Sequence, residues 1–226
     1  MVTPTVTMWR ASGHMQQRVL QEPLARRSSG TSGNKAVSDA ISQLLAKQEI
    51  LEVVVRYARA IDRLDEALLR TLFHPESTHN HFYEGPSSAP DRLATDDDPG
   101  DFVRYAMAVL KAHARTHHQL GNTLIELTGE TTAHVETYFT AFHKMRGAGD
   151  PLAGPDAFDT EMDFFVGGRY LDKFELRGGH WKIIHRTGMT DWMRLDPPSA
   201  RGMSALDASV VGQRFPDDFV YQLPSV

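Results

Sequence analysis

Two side chains in this sequence, Asp62 and His118, are of the types that general acid–base catalysis requires. Asp62 lies at the end of a long helical pattern, where a carboxylate opposes the helix dipole and needs a compensating partner. His118, at the head of a strand-like segment, could be that partner. The carboxylate would then fix the imidazole tautomer, and the second ring nitrogen would act as a base. The alternative, a surface carboxylate and an ordinary histidine, stays open because the chain has 11 histidines.

Two further histidines are candidate substrate-binding groups. His79 and His81 lie two residues apart in a strand-like segment, so both would point to one face of a strand. A His-x-His pair can also ligate a metal, but its only candidate third ligands are the histidines His118, His143 and His185. We therefore predict that the pair is substrate-binding and supplies a hydrogen-bond donor to the pocket; two solvent-facing histidines are the alternative. We expect neither a metal nor another cofactor.

Three more residues are candidates because of their positions in the predicted helix, strands and pocket. Tyr57 lies between one and two turns before Asp62, and it either donates a hydrogen bond to a substrate oxygen or packs in the core. Asn122 shares the strand periodicity of His118, which predicts that both point to one face. Phe139 belongs to a group of aromatic residues that must build the core and line part of an apolar pocket.

Composition excludes several classes of protein. The 226 residues are 41% hydrophobic and 23% charged, as is ordinary for one globular domain with appendages. The formal net charge of -5 argues against a nucleic-acid partner. No apolar run reaches the roughly eighteen residues of a membrane span, and the lack of cysteine excludes disulfides and thiolate nucleophiles. Neither a dinucleotide fingerprint nor a P-loop is present. We expect a cytoplasmic protein that binds a small molecule.

The elements that must position these residues follow from the spacing of apolar residues. Steps of three and four from Ile41 to Ile61 predict a long amphipathic helix, broken once near Ala46. Two further helices and five strands are predicted after it, and the last four strands form two hairpins. These are the helices Glu66–Phe73 (capped by Asp65) and Phe102–Arg115, and the strands Ser77–Tyr83, His117–Leu127, Thr132–Met145, Glu161–Leu176 and Trp181–Met189. This order predicts an α+β fold in which helices cover one side of a strongly curved, mostly antiparallel sheet.

The chain divides into three parts by composition. Residues 1–34 carry four arginines against one acid and are expected to form a flexible N-terminal extension. A start codon placed too early, with Met8 or Met15 as the true start, and a targeting segment are the alternatives. Residues 35–192 would form the domain. Residues 193–226 carry four prolines and would pack on the domain or on a partner subunit.

The candidate residues also occur in the order and spacing of a known family. The motifs are Arg56, Tyr57 and Asp62 on the long helix, His118 four residues before Asn122, Gly-Arg-Tyr-x-Asp at 168–172, and Gly-x-Trp-x-Ile at 179–183. With these motifs the chain resembles the SnoaL-like branch of the nuclear transport factor 2-like superfamily. The resemblance extends from about residue 44 to residue 192.

The resemblance implies a cone-shaped α+β barrel, in which catalytic members use a buried Asp–His pair to remove a proton without a cofactor. Asp62 and His118 correspond to that pair by position. Arg186 falls where dehydrochlorinase members have an arginine facing the pocket, and His143 resembles a second histidine of the dehydratase members. Arg186 and Tyr57 would stabilise developing negative charge. Relatives usually pair through their sheets, so we expect a homodimer or homotrimer.

Together these residues predict a cofactor-independent lyase of the dehydratase, dehydrohalogenase or deformylase type. A general base contributes only about a hundred- to ten-thousand-fold, so the substrate needs an activated proton or a good leaving group. A small hydroxylated aromatic compound would suit the pocket. Alternatives are an isomerase or polyketide-type cyclase that uses the same pair, and a non-catalytic ligand-binding or assembly module. The module is favoured if Asp62 and His118 face solvent or lie beyond hydrogen-bonding distance.

Overall fold

The computed structural model describes residues 30–80, 101–150, 158–198 and 207–223. The predicted substrate contact of His81 and nearly all of the predicted N-terminal extension, up to residue 29, lie outside these ranges. The chain divides into a small unit, Met1–Ser38, and a large unit, Asp39–Val226. All the candidate site residues belong to the large unit.

Helix α1 spans Gly30–Arg63 and carries Tyr57 and Asp62 near its C-terminal end. The helix is uninterrupted, so the predicted break near Ala46 is wrong. Residues 35–63 contain neither Gly nor Pro and are rich in Leu, Ala, Gln, Glu and Lys, which are good helix formers. From Ile50 onward one face of α1 is buried at steps of three and four.

Two shorter helices follow, α2 at Glu66–Thr71 and α3 at Asp101–Ala112. Asp65 caps α2 as predicted, because its Oδ1 accepts a hydrogen bond of 2.9 Å from the Leu68 N–H. Helix α3 ends three residues before the predicted boundary. This earlier end places His113 at the start of a strand instead of in the last turn of a helix.

The described strands form one curled, unclosed sheet in the order β1-β5-β4-β3-β2. They are β1 (Phe73–Asn80), β2 (His113–Leu127), β3 (Thr132–Met145), β4 (Met162–Arg177) and β5 (His180–Asp196). Strand β1 runs parallel to β5, and the other neighbours are antiparallel. The predicted bounds of β3 are confirmed, while β5 continues seven residues past its predicted end. Gly178 and Gly179 adopt positive φ angles of 59° and 80° in the β4–β5 turn, which suits a tight hairpin.

An irregularity in β2 decides which side chains reach the inside of the sheet. The pairing of β2 with β3 shifts between Leu120 and Thr123. Before the shift the even-numbered residues are the less exposed ones, and after it the odd-numbered residues are. The prediction that His118 and Asn122 share a face is therefore wrong. An extra residue in one strand moves every later side chain to the opposite face.

The helices cover the concave side of the sheet, and the main core lies between these two layers. Its largest buried side chains include Ile50, Leu69, Phe174 and Ile183. The α+β fold class predicted from the sequence is confirmed. Within the described ranges, no helix combines the length and the apolar character that crossing a membrane requires.

Candidate active site

Asp62 and His118 form a buried, doubly hydrogen-bonded pair. Asp62 lies in the last turn of α1, and its Oδ1 lies 2.7 Å from His118 Nδ1. Its Oδ2 accepts a second hydrogen bond of 2.7 Å from the backbone N–H of His118. The side chains of His118 and Asp62 are only 7% and 9% exposed. Because an ionised carboxylate can only accept, Nδ1 carries the proton and the lone pair of the neutral ring is on Nε2.

The environment keeps Asp62 ionised. Burial alone raises the pKa of the carboxyl group, but the hydrogen bonds from His118 and its charge outweigh burial and hold the pKa below its ordinary value. A carboxylate in this position stabilises an imidazolium at His118 once the ring has taken up a proton. The pair therefore has the geometry and the charge of a general base.

His118 lines a cavity of about 120 Å³ between the helices and the sheet. The size is close to that of engineered apolar cavities that bind benzene. Apolar residues of α1 and α3 form much of its wall. Its polar lining residues are Tyr57, His79, His113, His118, His143, Tyr170 and Thr190. Among the described residues, no Lys, Arg, Asp or Glu side chain lines this cavity.

Most of the predicted site residues meet at this cavity. Tyr57, His79, His118, Phe139 and His143 all line it. Asp62 itself does not line the cavity. Its carboxylate lies behind the His118 ring, on the Nδ1 side.

Asn122 does not line the cavity, contrary to prediction, because it lies within the irregularity in β2 and is exposed.

Arg186 is also not in the cavity wall, contrary to prediction. Its side chain is fully buried, and its Nε and Nη2 donate to the two carboxylate oxygens of Asp172, both at 2.7 Å. The guanidinium contacts the rings of both Tyr57 and Tyr170, with Cζ 3.9 and 4.2 Å from the ring centroids. Arg186 therefore lies behind Tyr57 and Tyr170, which both line the cavity, and a cation–π contact joins it to each of these tyrosines.

Asp172, the last residue of the Gly-Arg-Tyr-x-Asp motif, is a buried carboxylate. It is 3% exposed. Asp172 lies two residues from both Tyr170 and Phe174 on β4 and shares their buried face. The strand period of two was therefore the signal that could have indicated its burial.

Both tyrosines are protonated hydrogen-bond donors at neutral pH. Burial raises the pKa of Tyr57 above its ordinary value, and the charge of Arg186 only partly opposes this rise. Burial also raises the pKa of Tyr170, and the neighbouring Tyr57 adds to the effect. A phenol next to a buried guanidinium is well suited to stabilise negative charge that develops on a ligand.

His113 is a cavity residue that the sequence reasoning did not identify. Its Nδ1 lies 2.9 Å from Nδ1 of His143. Burial, followed by the charges of Arg214 and His118, lowers the pKa of His113 to about 4. Burial likewise lowers the pKa of His143 well below its ordinary value. Both rings are therefore neutral at pH 7. The predicted helix extended to Arg115, so His113 was assigned to a helix and its place on an inward-facing position of β2 was not recognised.

The C-terminal segment 207–223 lies beside the helix end that carries Asp62. The Phe215 N–H donates to the Arg63 carbonyl oxygen at 2.6 Å, and the Arg63 guanidinium pairs with Asp218 at 3.1 Å. Arg214 Nη2 donates to the carbonyl oxygens of Leu110 and His113 at 3.1 and 3.0 Å. These contacts link α1, the end of α3 and the start of β2.

His79 stacks on Phe102 with ring centroids 4.3 Å apart. In the ranges that the structure describes, no group of three or more His, Asp or Glu side chains is arranged to hold a metal ion.

Solved structures with the same cone-shaped fold include enzymes. A type 2 hexachlorocyclohexane dehydrochlorinase has a TM-score of 0.58 and 14% identity, over 74% of this chain and 99% of that one. A type 3 dehydrochlorinase from Novosphingobium barchaimii has a TM-score of 0.55 and 12% identity, over 72% and 98%. A protein provisionally designated a scytalone dehydratase, from Novosphingobium aromaticivorans, has a TM-score of 0.53 and 19% identity, over 72% and 99%. At these identities the likeness shows the fold alone.

The chain shares its α+β cone fold with these structures. The sequence profile of a family described as SnoaL-like domain matches residues 42–187, which is more than half of the chain. The chain therefore belongs to the SnoaL-like domain family, and the resemblance found in its motifs is confirmed. No curated protein matches it.

Proposed function

We propose that this protein is a cofactor-independent lyase of the dehydratase, dehydrohalogenase or deformylase type, with Asp62 and His118 as its general base. The observation that carries the proposal is the buried pair at the cavity wall, with Nδ1 2.7 Å from the carboxylate and Nε2 left for a ligand. A surface-exposed or separated pair would have favoured the non-catalytic module. The observed burial and distance favour the enzyme.

The reaction that fits the site is a β-elimination. His118 Nε2 takes a proton from a carbon atom of the substrate, and the C–H electron pair becomes the new double bond. The bond to the leaving group breaks, and hydroxide or halide departs with its electron pair. Asp62 stabilises the imidazolium that forms. Tyr57 and Tyr170 donate hydrogen bonds to negative charge that develops on the substrate, and Arg186, from behind, strengthens both donors.

The cavity wall indicates the class of substrate. Its apolar area and its volume of about 120 Å³ suit one aromatic ring. The polar lining consists of neutral imidazole, phenol and hydroxyl groups, which bind hydroxyl and carbonyl oxygens and give no charge to match an anion. A small, uncharged, hydroxylated aromatic compound is therefore the proposed substrate, as in the catabolism of aromatic compounds.

The experiment is a mass-spectrometric screen in deuterated water without added metal or cofactor. Hydroxylated and halogenated aromatic compounds are incubated with the wild type and with the double variant Asp62→Asn, His118→Ala. The matched control is His117→Ala, which removes the exposed neighbouring histidine of the same strand. Loss of water, hydrogen halide or formaldehyde with the wild type and the control, and not with the double variant, supports the lyase.

Other outcomes of the screen have definite meanings. Deuterium uptake at carbon without loss of mass supports an isomerase or a cyclase that uses the same pair, because only the fate of the proton differs. Equal conversion by the wild type and the double variant contradicts the pair as the base. No conversion of any compound by the wild type counts against a lyase for this substrate class.

We also propose that the protein forms a homodimer or homotrimer through its sheet. The support is a group of large apolar side chains that are exposed on the strands of the single chain. They are Leu124, Tyr138, Met189, Trp192 and Met193. Exposed apolar patches of this kind mark interaction surfaces. Light scattering after size-exclusion chromatography tests this proposal, and a monomer at micromolar concentration contradicts it.

A further inference from the structure

Three imidazoles that line the cavity form a row, which includes the proposed base His118 and continues through His143 to His113. The ring centres of His118 and His143 are 5.2 Å apart, and those of His143 and His113 are 4.9 Å apart. His143, in the middle of the row, is 8% exposed, and His113, at the end of the row away from His118, is partly exposed. The proposed elimination uses only His118, and nothing in it explains why a second pair of histidines lies next to the base.

The contact between His113 and His143 constrains where their protons lie. The two Nδ1 atoms are 2.9 Å apart, which is a hydrogen bond and requires one donor and one acceptor. A neutral imidazole carries a single proton. The donor ring therefore has its proton on Nδ1 and a lone pair on Nε2, and the acceptor ring has its proton on Nε2. The two rings hold opposite tautomers. These exchange, with both rings neutral at the end, only when the donor ring gains a proton on Nε2, its Nδ1 proton passes to the other Nδ1, and the acceptor ring loses its Nε2 proton.

We infer that His113 and His143 form a proton relay between the cavity at His118 and solvent. The inference rests on the proposed role of His118 as the base. In the outward direction, His143 Nε2 receives the proton that His118 took from carbon, directly or through one water. The His143 Nδ1 proton then moves to His113 Nδ1, and His113 Nε2 releases its proton to water. One proton leaves the cavity, both rings end neutral, and both tautomers are exchanged.

The inward direction restores the starting tautomers. His143 Nε2–H gives its proton to a departing hydroxide, His113 Nδ1–H gives its proton to His143 Nδ1, and His113 Nε2 takes a proton from water. One turnover of a dehydration uses each direction once, so the substrate loses one water and no net proton is gained. Burial and the charge of Arg214 hold the pKa of His113 at about 4, which prevents the relay from retaining a proton as a resting imidazolium.

The first test is nitrogen NMR of the full chain with labelled histidine at pH 7, without any substrate. We expect neutral rings with opposite tautomers at His113 and His143. Equal tautomers, or a protonated ring at either position, would overturn the relay. This measurement does not depend on turnover. A negative result would contradict the relay but not the proposed lyase. If no substrate is found in the activity screen, the tautomers can still be interpreted.

The second test is the exchange with solvent of the proton that His118 carries on Nε2 when its ring is protonated, measured by NMR exchange spectroscopy. Replacing His113 with Phe removes both ring nitrogens. This variant should slow the exchange by about tenfold or more, because a proton can no longer pass through this ring to water. His117→Phe is the matched control on the exposed face of the same strand and should leave the rate unchanged. An equal rate in wild type and His113→Phe would overturn the relay.

A second variant separates the relay from packing and from a merely structural role. The amide of His113→Asn can keep a hydrogen bond to His143 Nδ1 but cannot pass a proton on. We expect this variant to keep the tautomer of His143 and still to show slow exchange at His118. Exchange as fast as in the wild type would contradict the inference. The His118 Nδ1–H resonance that reports the bond to Asp62 verifies folding in every variant.

Discussion

The buried ion pair of Arg186 and Asp172 allows a quantitative test of the site. We consider Asp172→Asn, which keeps the shape of the side chain and removes its charge. In the native protein both guanidinium bonds are 2.7 Å long and neither side chain is exposed. Breaking a buried pair leaves an uncompensated charge and costs about 3–5 kcal/mol. For a domain of this size that corresponds to a fall in Tm of about 6–20 °C.

The chain contains a matched control for this variant. Arg169 binds Asp191 with the same two-point geometry, at 3.0 Å for both bonds, but on the surface. Asp191→Asn should therefore lower the free energy of unfolding by only a small fraction of the loss in Asp172→Asn, because water screens the exposed pair. Urea unfolding with circular dichroism measures both. Equal losses in the two variants would refute the reasoning that burial sets the value of the Asp172 pair.

Three further outcomes are expected. Unfolded histidine takes up a proton near pH 6.5 and folded His113 only near pH 4, so the wild type should lose about 3 kcal/mol more stability than His113→Phe between pH 7.5 and pH 4, measured by urea unfolding. Asp62 has a lowered pKa, so Asp62→Asn should destabilise the protein above pH 3.8, and the difference from wild type should shrink as the pH falls through the folded pKa. Gly168→Ala places a Cβ 1.9 Å from the Met189 carbonyl oxygen and should lower Tm in thermal unfolding; an unchanged Tm would contradict this close packing.

Patterns within single elements predicted much of the fold. The steps of three and four in α1 and the cap at Asp65 are local, and both were predicted correctly. Strand β3 has its predicted bounds because the alternation along the strand and the short turn before it, at residues 128–131, are both local to one hairpin. The pairing of Asp62 with His118 was reached from an unfavourable charge at a helix end and from family motifs, and the structure brings the two side chains within hydrogen-bonding distance.

Errors occurred where one element determines the state of another. Asn122 was assigned to the inner face by counting along β2, but the pairing with β3 contains an irregularity that reverses the faces. Arg186 was assigned to the cavity by analogy, whereas its partner Asp172 lies on the neighbouring strand and holds it behind two tyrosine rings. The period of a strand indicates which face a side chain takes, but not which charged residue lies next to it on the neighbouring strand.

The sequence by itself determined the order and type of the described helices and strands, the fold class and the residue types of a proton-transfer site, because periodicity, caps and turns depend on neighbours along the chain. Only the tertiary structure decided which polar groups share the cavity. The register of β2, the burial of Asp172 and the contact between His113 and His143 all arise where separate strands meet. Hydrogen bonds between strands, and the loss of water around buried charges, depend on positions in space that no spacing along the chain specifies.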